Sequence, residues 1–173
     1  NYGAELLALR GQVDLVAGGP PCQGFSMAGK RIEDDVRNQL VFSYIKFIDL
    51  VRPRAILFEN VKGFTFAFDK NKTVKAEPYS VKVIKKLQEL GYNVKPHIID
   101  FSKYGVPQRR NRFILVGVQE ECGSPELFES LLETTKSSFL QGKGLNEYTS
   151  LEEAISDLLR ANGEAPTPDR KGF

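Results

Sequence analysis

The stretch VDLVAGGPP at residues 13–21 decides the fold prediction, because a short apolar run ends there at two glycines and two prolines. Such a run is typical of a buried strand that leads directly into a loop. The loop, residues 22–38, contains two glycines, one serine and six charged residues. Loops of this length in compact domains are usually functional. The stretch therefore predicts a strand that presents a working loop at its carboxyl end.

A helix and a second strand follow this loop. The apolar residues of 39–51 fall on one helical stripe: Leu40, Tyr44, Phe47, Ile48 and Val51. Pro53 ends this helix, and the run RAILF at residues 54–58 then predicts a second strand, followed by Glu59 and Asn60. A strand, a helix and a strand in this order form a βαβ unit with parallel strands. We therefore expect the residues that follow both strands to lie at the same edge of a sheet.

The remaining chain predicts an α/β fold. A helix is expected at residues 79–90, followed by strands at 93–100 and 113–118 that we expect to pair antiparallel. A further helix is expected at residues 125–139. A capping box at Ser150, with glutamate three residues later, predicts a last helix that runs to residue 159.

Composition excludes several classes of protein. Hydrophobic residues make up 41% and charged residues 27%, which is typical of a globular domain and excludes a disordered chain or a collagen-like repeat. No apolar run approaches the roughly 20 residues that cross a bilayer, and residues 1–9 lack the pattern of a secretory signal. Cys22 and Cys122 are 100 positions apart, so we expect a reducing, cytoplasmic environment rather than a disulfide framework.

The charge is distributed unevenly along the chain. Residues 1–118 hold 19 basic and 11 acidic residues, a net charge of +8, whereas residues 119–173 hold 5 and 11, a net charge of −6. A basic body favours a polyanionic partner, but runs of charge are more often simply solvated surface. We predict two parts, a body at residues 1–118 and a helical, acidic connector at residues 119–173.

Two residues at the predicted sheet edge carry reactive groups. Cys22 follows a stiff corner of glycine and proline, where a thiol is either an accessible nucleophile or an inert, small apolar group. Glu59 is either an acid–base group or an ion-pair partner. Arg109, Arg110 and Arg112 precede the last predicted strand, and they are either such partners or clamps for an anion.

Three motifs in register resolve these alternatives. GPPCQGFS at residues 19–26, ENV at 59–61 and QRRNR at 108–112 together resemble the C5-cytosine methyltransferases. The resemblance covers most of residues 13–118 and extends weakly to 148–159. It implies a Rossmann-like sheet that uses S-adenosylmethionine and is incomplete at its amino end, with residues 1–118 as a partial catalytic core.

The resemblance also implies a mechanism on double-stranded DNA. Cys22 would attack C6 of a cytosine flipped out of the duplex, because C5 is a poor nucleophile until a thiolate has added to the ring. Glu59 would contact N3 and the exocyclic amine as a protonated donor. Arg110 and Arg112 would hold the cytosine O2 and an adjacent phosphate. The implied activity is that of a DNA (cytosine-5-)-methyltransferase, which needs no metal.

Further residues take their roles from the same resemblance. Nucleic-acid contacts are expected from Gln23, Ser26, Arg37 and Gln108. Pro21 and Leu40 match positions that line the methyl-donor site. The family's glycine-rich cofactor turn and its target-recognition domain have no counterpart here. We therefore expect the central part of a longer enzyme, located in the cytoplasm or on the nucleoid, with little activity alone.

Two other functions remain open from the sequence. One branch of the family methylates transfer RNA with the same Pro-Pro-Cys-Gln chemistry, although its later motif usually departs from the QRRNR at residues 108–112. The second alternative is a binding module for nucleic acid that has lost turnover. The presence of Cys22, Glu59, Arg110 and Arg112 favours a working enzyme over such a remnant.

Overall fold

The computed structural model describes residues 3–21, 39–67, 69–71 and 74–158. Four of the predicted site residues lie outside these ranges: Cys22, Gln23, Ser26 and Arg37. Their predicted roles are therefore carried by the sequence alone.

Five helices and six strands make up the described chain. The helices are α1 (Gly3–Ala8), α2 (Gln39–Val51), α3 (Tyr79–Glu89), α4 (Glu126–Lys143) and α5 (Leu151–Ile155). The strands are β1 (Leu15–Gly18), β2 (Ala55–Val61), β3 (Asp69–Asn71), β4 (Val74–Lys75), β5 (Tyr92–Asp100) and β6 (Asn111–Gln119). Short 3₁₀ turns follow four of these elements: Lys62–Thr65, Phe101–Tyr104, Glu120–Cys122 and Ser156–Leu158.

The main sheet has four strands in the order β1-β2-β6-β5. Strands β1 and β2 are parallel, with Gly18 opposite Phe58, and this confirms the predicted βαβ pairing. Strand β6 runs antiparallel to β2, with Arg112 opposite Val61, which confirms the mixed α/β sheet. A separate two-stranded ribbon, β3 with β4, was not predicted from the sequence.

The structure extends β2 three residues beyond its predicted end at Phe58. Glu59, Asn60 and Val61 remain in the strand, each opposite a residue of β6. The sequence predicts that the strand ends at Phe58, because polar residues follow it. The antiparallel ladder with β6 instead keeps the backbone of these residues extended, since their main-chain groups have partners there.

Aromatic side chains fill the core between the sheet and helices α2 and α3. The ring of Phe58 lies 5.4 Å from that of Phe64 and 6.2 Å from that of Phe113. All three side chains are buried. Burial of each such side chain contributes roughly 1.5–3 kcal/mol to stability. This cluster lies directly beneath the carboxyl end of β2.

Helix α2 has the predicted bounds but a different buried face. Its buried residues are Val41, Ile45, Ile48 and Val51. Leu40 is 43% exposed, although the sequence pattern placed it on the apolar stripe. An i, i+4, i+7 pattern can be drawn through either of two adjacent stripes in this apolar helix, and only contact with the sheet selects one.

The first half of α4 packs on β5. Lys95 forms an ion pair with Glu129 at 2.7 Å, and the rings of His97 and Phe128 are 5.3 Å apart. At the other edge of the sheet, Leu15 of β1 is 54% exposed. In the part of the chain that the structure describes, no helix is long and apolar enough to cross a membrane.

By compactness the chain divides into two units. The first contains Asn1–Ile99 and Asn111–Thr134, and the second contains Asp100–Arg110 and Thr135–Phe173. From the sequence, the chain divides at residue 118 into a catalytic body and a connector. That division stays a prediction.

Candidate active site

Glu59 and Arg112 form an ion pair in the first unit. Arg112 Nε lies 2.9 Å from Glu59 Oε1. The two residues are diagonal neighbours across the β2–β6 ladder, because Glu59 pairs with Ile114 and Arg112 stands two positions before it. The side chain of Arg112 is 16% exposed and that of Glu59 is 46% exposed. The ladder therefore holds the Glu59 carboxylate in an accessible position near the carboxyl end of β2, with Oε1 already paired with Arg112.

The glycine and proline corner packs against this carboxylate. A Cβ atom at Gly19 would lie 2.9 Å from Glu59 Oε2 and 3.3 Å from the Glu59 backbone oxygen. Only glycine permits this approach without a displacement of Glu59. The corner that leads to Cys22 thus lies against the Glu59 carboxyl group, which the family resemblance expects to act together with Cys22.

Asn60 holds the same corner from beneath. Its side chain is 1% exposed, and its Nδ2 donates a hydrogen bond to the Pro20 carbonyl at 3.2 Å. The Asn60 side-chain oxygen accepts a hydrogen bond from Val61 N at 2.9 Å. Both ends of a buried amide are therefore satisfied, which makes Asn60 a tie between the end of β1 and the end of β2.

Tyr44 of α2 supports the end of β1. A Cβ atom at Gly18 would lie 2.6 Å from a ring carbon of Tyr44, and the Tyr44 hydroxyl donates a hydrogen bond to the Val16 carbonyl at 3.4 Å. Burial raises the pKa of this hydroxyl far above its usual range, so Tyr44 stays neutral.

Sequence reasoning assigned neither Tyr44 nor Asn60 a role in positioning the corner. For Asn60, the available signal was an asparagine directly after an apolar strand. Tyr44 gave no signal of its own, because it lies on the apolar stripe predicted for α2.

Arg110 and Gln108 belong to the second unit and are exposed. The backbone carbonyl of Arg110 accepts a hydrogen bond from Phe101 N at 3.0 Å, and Gln108 N donates to the Val106 carbonyl at 2.7 Å. The structure thus separates the two predicted arginines by environment, since Arg112 is in the ladder and Arg110 is in a loop. The predicted roles of both residues, and of Gln108, stay predictions.

Pro21 and Leu40 are exposed, at the exit of β1 and in the first turn of α2. Their predicted role in lining the methyl-donor site stays a prediction. The described residues contain no group of three or more His, Cys, Asp or Glu side chains that could hold a metal ion.

A comparison of the sequence with known families identifies the class of protein. The sequence model of the C-5 cytosine-specific DNA methylase family matches residues 4–171. The chain belongs to this family. The matched range includes Cys22, Glu59, Arg110 and Arg112, so one match to the family model spans all three motifs.

Methylase relatives were found among curated proteins. The chain is 34% identical over 157 residues to Type II methyltransferase M.AgeI from Thalassovita gelatinovora, covering 86% of this chain and 35% of the relative. It is 39% identical over 139 residues to Type II methyltransferase M.XorII from Xanthomonas oryzae, covering 77% and 31%. The chain therefore spans about a third of the length of these relatives.

A solved methyltransferase structure gives a weaker likeness. The chain is 23% identical to the S. pombe Dnmt2 methyltransferase, covering 68% of this chain and 31% of that one, with a TM-score of 0.47. The family assignment depends on the sequence comparisons rather than on this score.

Proposed function

We propose that this chain is the catalytic part of a DNA (cytosine-5-)-methyltransferase. The observation that carries the proposal is the placement of Glu59, which Arg112 holds on one side and Gly19 limits on the other. Cys22 follows this corner by three residues in the sequence. Addition to a cytosine ring requires both a nucleophile and an acid, and we propose that Cys22 and Glu59 provide them.

The Cys22 thiolate adds to C6 of the flipped cytosine. The electron pair of the C5–C6 double bond then shifts through C4 toward N3. Glu59 in its protonated form donates to N3, which neutralises that charge. S-adenosylmethionine, when bound, supplies the electrophilic methyl group that C5 accepts. A base then removes the C5 proton, which restores the C5–C6 double bond and expels the Cys22 thiolate, and N3 returns its proton to Glu59.

Arg112 orients the Glu59 carboxyl group for this donation. It engages Oε1, while Oε2 lies beside the Gly19 backbone. A carboxyl group with one oxygen tethered loses less rotational freedom when the base binds, so its geometry is set before the substrate arrives. Arg112 is therefore proposed to act on the base partly through Glu59, and Arg110 to contact the nucleic acid directly.

Pro21 and Leu40 are proposed to line the methyl-donor site. Family membership favours S-adenosylmethionine as the donor. The relatives are Type II methyltransferases, and this favours DNA as the acceptor. We propose that the chain by itself turns over little or not at all, because the described residues provide only part of a donor site.

The test is made on a polypeptide of the relatives' length that carries this chain. It is incubated with tritium-labelled S-adenosylmethionine and either a cytosine-containing duplex or transfer RNA. Cys22→Ser is expected to abolish incorporation into the duplex, because a hydroxyl group is a far weaker nucleophile than a thiolate. Cys122→Ser is the matched control and is expected to retain it.

Three results would contradict the proposal. Incorporation that survives Cys22→Ser would exclude the covalent mechanism. A preference for transfer RNA over the duplex would favour the RNA branch of the family. Duplex binding without any methyl transfer would indicate a non-catalytic module.

A further inference from the structure

The loop at residues 101–110 presents two cations, Lys103 and Arg109, to which the family resemblance assigns no role. Lys103 and Arg109 are both exposed, as is Arg110. Among the described residues, neither Lys103 nor Arg109 forms an ion pair within 4 Å. The QRRNR motif accounts for Arg110 and Arg112 but leaves these two cations unused.

The base of this loop is fixed by hydrogen bonds. Asp100 caps the 3₁₀ turn, since its carboxylate accepts from Ser102 N at 3.1 Å and from Ser102 Oγ at 2.8 Å. Phe101 N donates to the Arg110 carbonyl at 3.0 Å, which closes the loop between its two ends. Lys103 lies inside the capped turn and Arg109 directly precedes the closing carbonyl, so the backbone of both is held.

The middle of the loop is anchored at Gly105. Its φ is +75°, a left-handed conformation that favours glycine, and its N–H donates to the Glu147 carbonyl at 3.1 Å. A Cβ atom at this position would lie 3.0 Å from Leu145 Cβ. The loop is therefore packed at its turn as well as closed at its base, and both cations stand on a rigid frame.

Lys136 in the same unit shows the contrasting arrangement. Its ammonium group pairs with Glu147 and lies 5.5 Å from the centre of the Tyr104 ring. Lys136 therefore has an ion-pair partner inside its unit.

Lys103 and Arg109 interact electrostatically with Asp100, but the carboxylate of Asp100 is hydrogen-bonded by Ser102. Neither cation forms an ion pair within 4 Å among the described residues. Exposed cations on a fixed backbone are the pattern by which proteins contact nucleic-acid phosphates, which position the duplex without reading its sequence.

We propose that Lys103 and Arg109 each bind a backbone phosphate of the substrate duplex. This rests on DNA being the substrate, as in the proposed function. The arginine suits bidentate contact with phosphate oxygens, and the lysine acts as a point charge. Because these contacts are to phosphate, they contribute equally at every base sequence.

The experiment measures the salt dependence of duplex binding by the chain itself. A fluorescently labelled duplex is titrated with the chain at several salt concentrations from about 50 to 200 mM. Each phosphate contact contributes about 0.9 to the slope of log affinity against log salt concentration. The double variant K103Q/R109Q is expected to lower the magnitude of that slope by about 1.8 and to weaken binding at the lowest salt.

Two further variants make the result specific. K46Q/K143Q removes the same net charge from exposed positions on α2 and α4, and it is expected to leave the slope unchanged. The exchange variant K103R/R109K keeps both charges and is expected to retain the slope. Equal slopes for K103Q/R109Q and K46Q/K143Q would overturn the assignment, as would failure of the unaltered chain to bind the duplex at about 50 mM salt.

These outcomes differ from failure of the proposed function. If the slope changes as expected but the longer polypeptide transfers no methyl group, the phosphate contacts stand and catalysis is excluded. If methyl transfer depends on Cys22 while the slope does not change, catalysis stands and the duplex is held by other residues.

Discussion

The end of β2 and the loop at residues 101–110 are both proposed to serve one reaction, yet they are built in opposite ways. At the end of β2, side chains hold one another: Arg112 engages Glu59, and the buried Asn60 ties Pro20. In the loop, backbone groups hold one another through Phe101 and Arg110, and the charged side chains are exposed.

This difference follows from the group that each region is proposed to position, a carboxyl group in one case and a phosphate backbone in the other. A carboxyl group that protonates one ring atom has to be placed to within a fraction of an ångström, and a ladder with buried ties provides that precision. A phosphate backbone is recognised by charge over a longer range, so it requires a fixed main chain but not fixed side chains. The first two predictions below test this contrast, and the third tests a region outside it.

The largest effect is expected from Asn60→Ala. It removes the donor to the Pro20 carbonyl and the acceptor for Val61 N, and it leaves a cavity at a 1% exposed position. We expect a loss of about 2–3 kcal/mol in the free energy of unfolding, measured by urea denaturation. Asn93→Ala, at an exposed position on β5, is the control and should cost well under about 1 kcal/mol. Similar losses for the two variants would mean that the end of β2 is not held by its side chains.

A smaller effect is expected from Gly105→Ala in the loop. The added methyl group meets Leu145 at 3.0 Å, and the φ of +75° is unfavourable for alanine. A loss of about 1–2 kcal/mol is expected, together with faster amide hydrogen exchange in the loop. Gly144→Ala is the matched control, because its φ is +62° but no atom lies within 4 Å of the added carbon. A loss for Gly105→Ala no greater than that for Gly144→Ala would contradict the packed anchor.

The smallest effect concerns pH and tests a region outside both. His97 Nε2 is buried with no hydrogen-bond partner among the described residues, and burial lowers the pKa of this imidazole. The folded state therefore holds the neutral ring, while the unfolded chain takes up a proton near pH 6.5. Stability should fall as the pH drops below about 6.5 and on through the lower folded-state pKa.

Replacement of the ring by His97→Gln checks the assignment of this pH dependence. Urea denaturation between about pH 5 and pH 8 should show a flatter profile for the variant than for the unaltered chain. The charge of nearby Glu129 acts against the lowering of the His97 pKa by burial, but pairing with Lys95 lowers the pKa of Glu129 itself, so this carboxylate stays charged while the ring titrates. An unchanged profile would assign the dependence to another group.

Much of the fold was predictable from local sequence signals. Helix α2 begins and ends at the predicted residues, because a polar stretch of sequence precedes it and Pro53 follows closely. The parallel pairing of β1 with β2 followed from the order of the elements. The extension of β2 to Val61 was not predictable, since it depends on a ladder with β6, fifty positions away in the sequence.

The candidate site was predictable in its residues but not in its geometry. The motifs named Glu59, Arg110 and Arg112 together, whereas contact between Glu59 and Arg112 depends on the alternation of side chains along β6. Arg110 precedes the strand, so its environment is set by the loop. The role of Tyr44 was hidden because an aromatic residue on an apolar helix face is usually core, and its hydroxyl gave no separate signal.

The close approach of Gly19 to Glu59 makes residue 19 useful to genetics. A Cβ atom there would meet the flexible end of the Glu59 side chain at 2.9 Å and the Glu59 backbone oxygen at 3.3 Å, so the carboxyl group has to move and the strand has to give by a few tenths of an ångström. Gly19→Ala would keep every nucleophilic and charged group of the chain, and its surface for nucleic acid would be intact. If the chain has the proposed function, Gly19→Ala would separate two properties that Cys22→Ser and K103Q/R109Q change one at a time: duplex binding is expected to persist while methyl transfer falls.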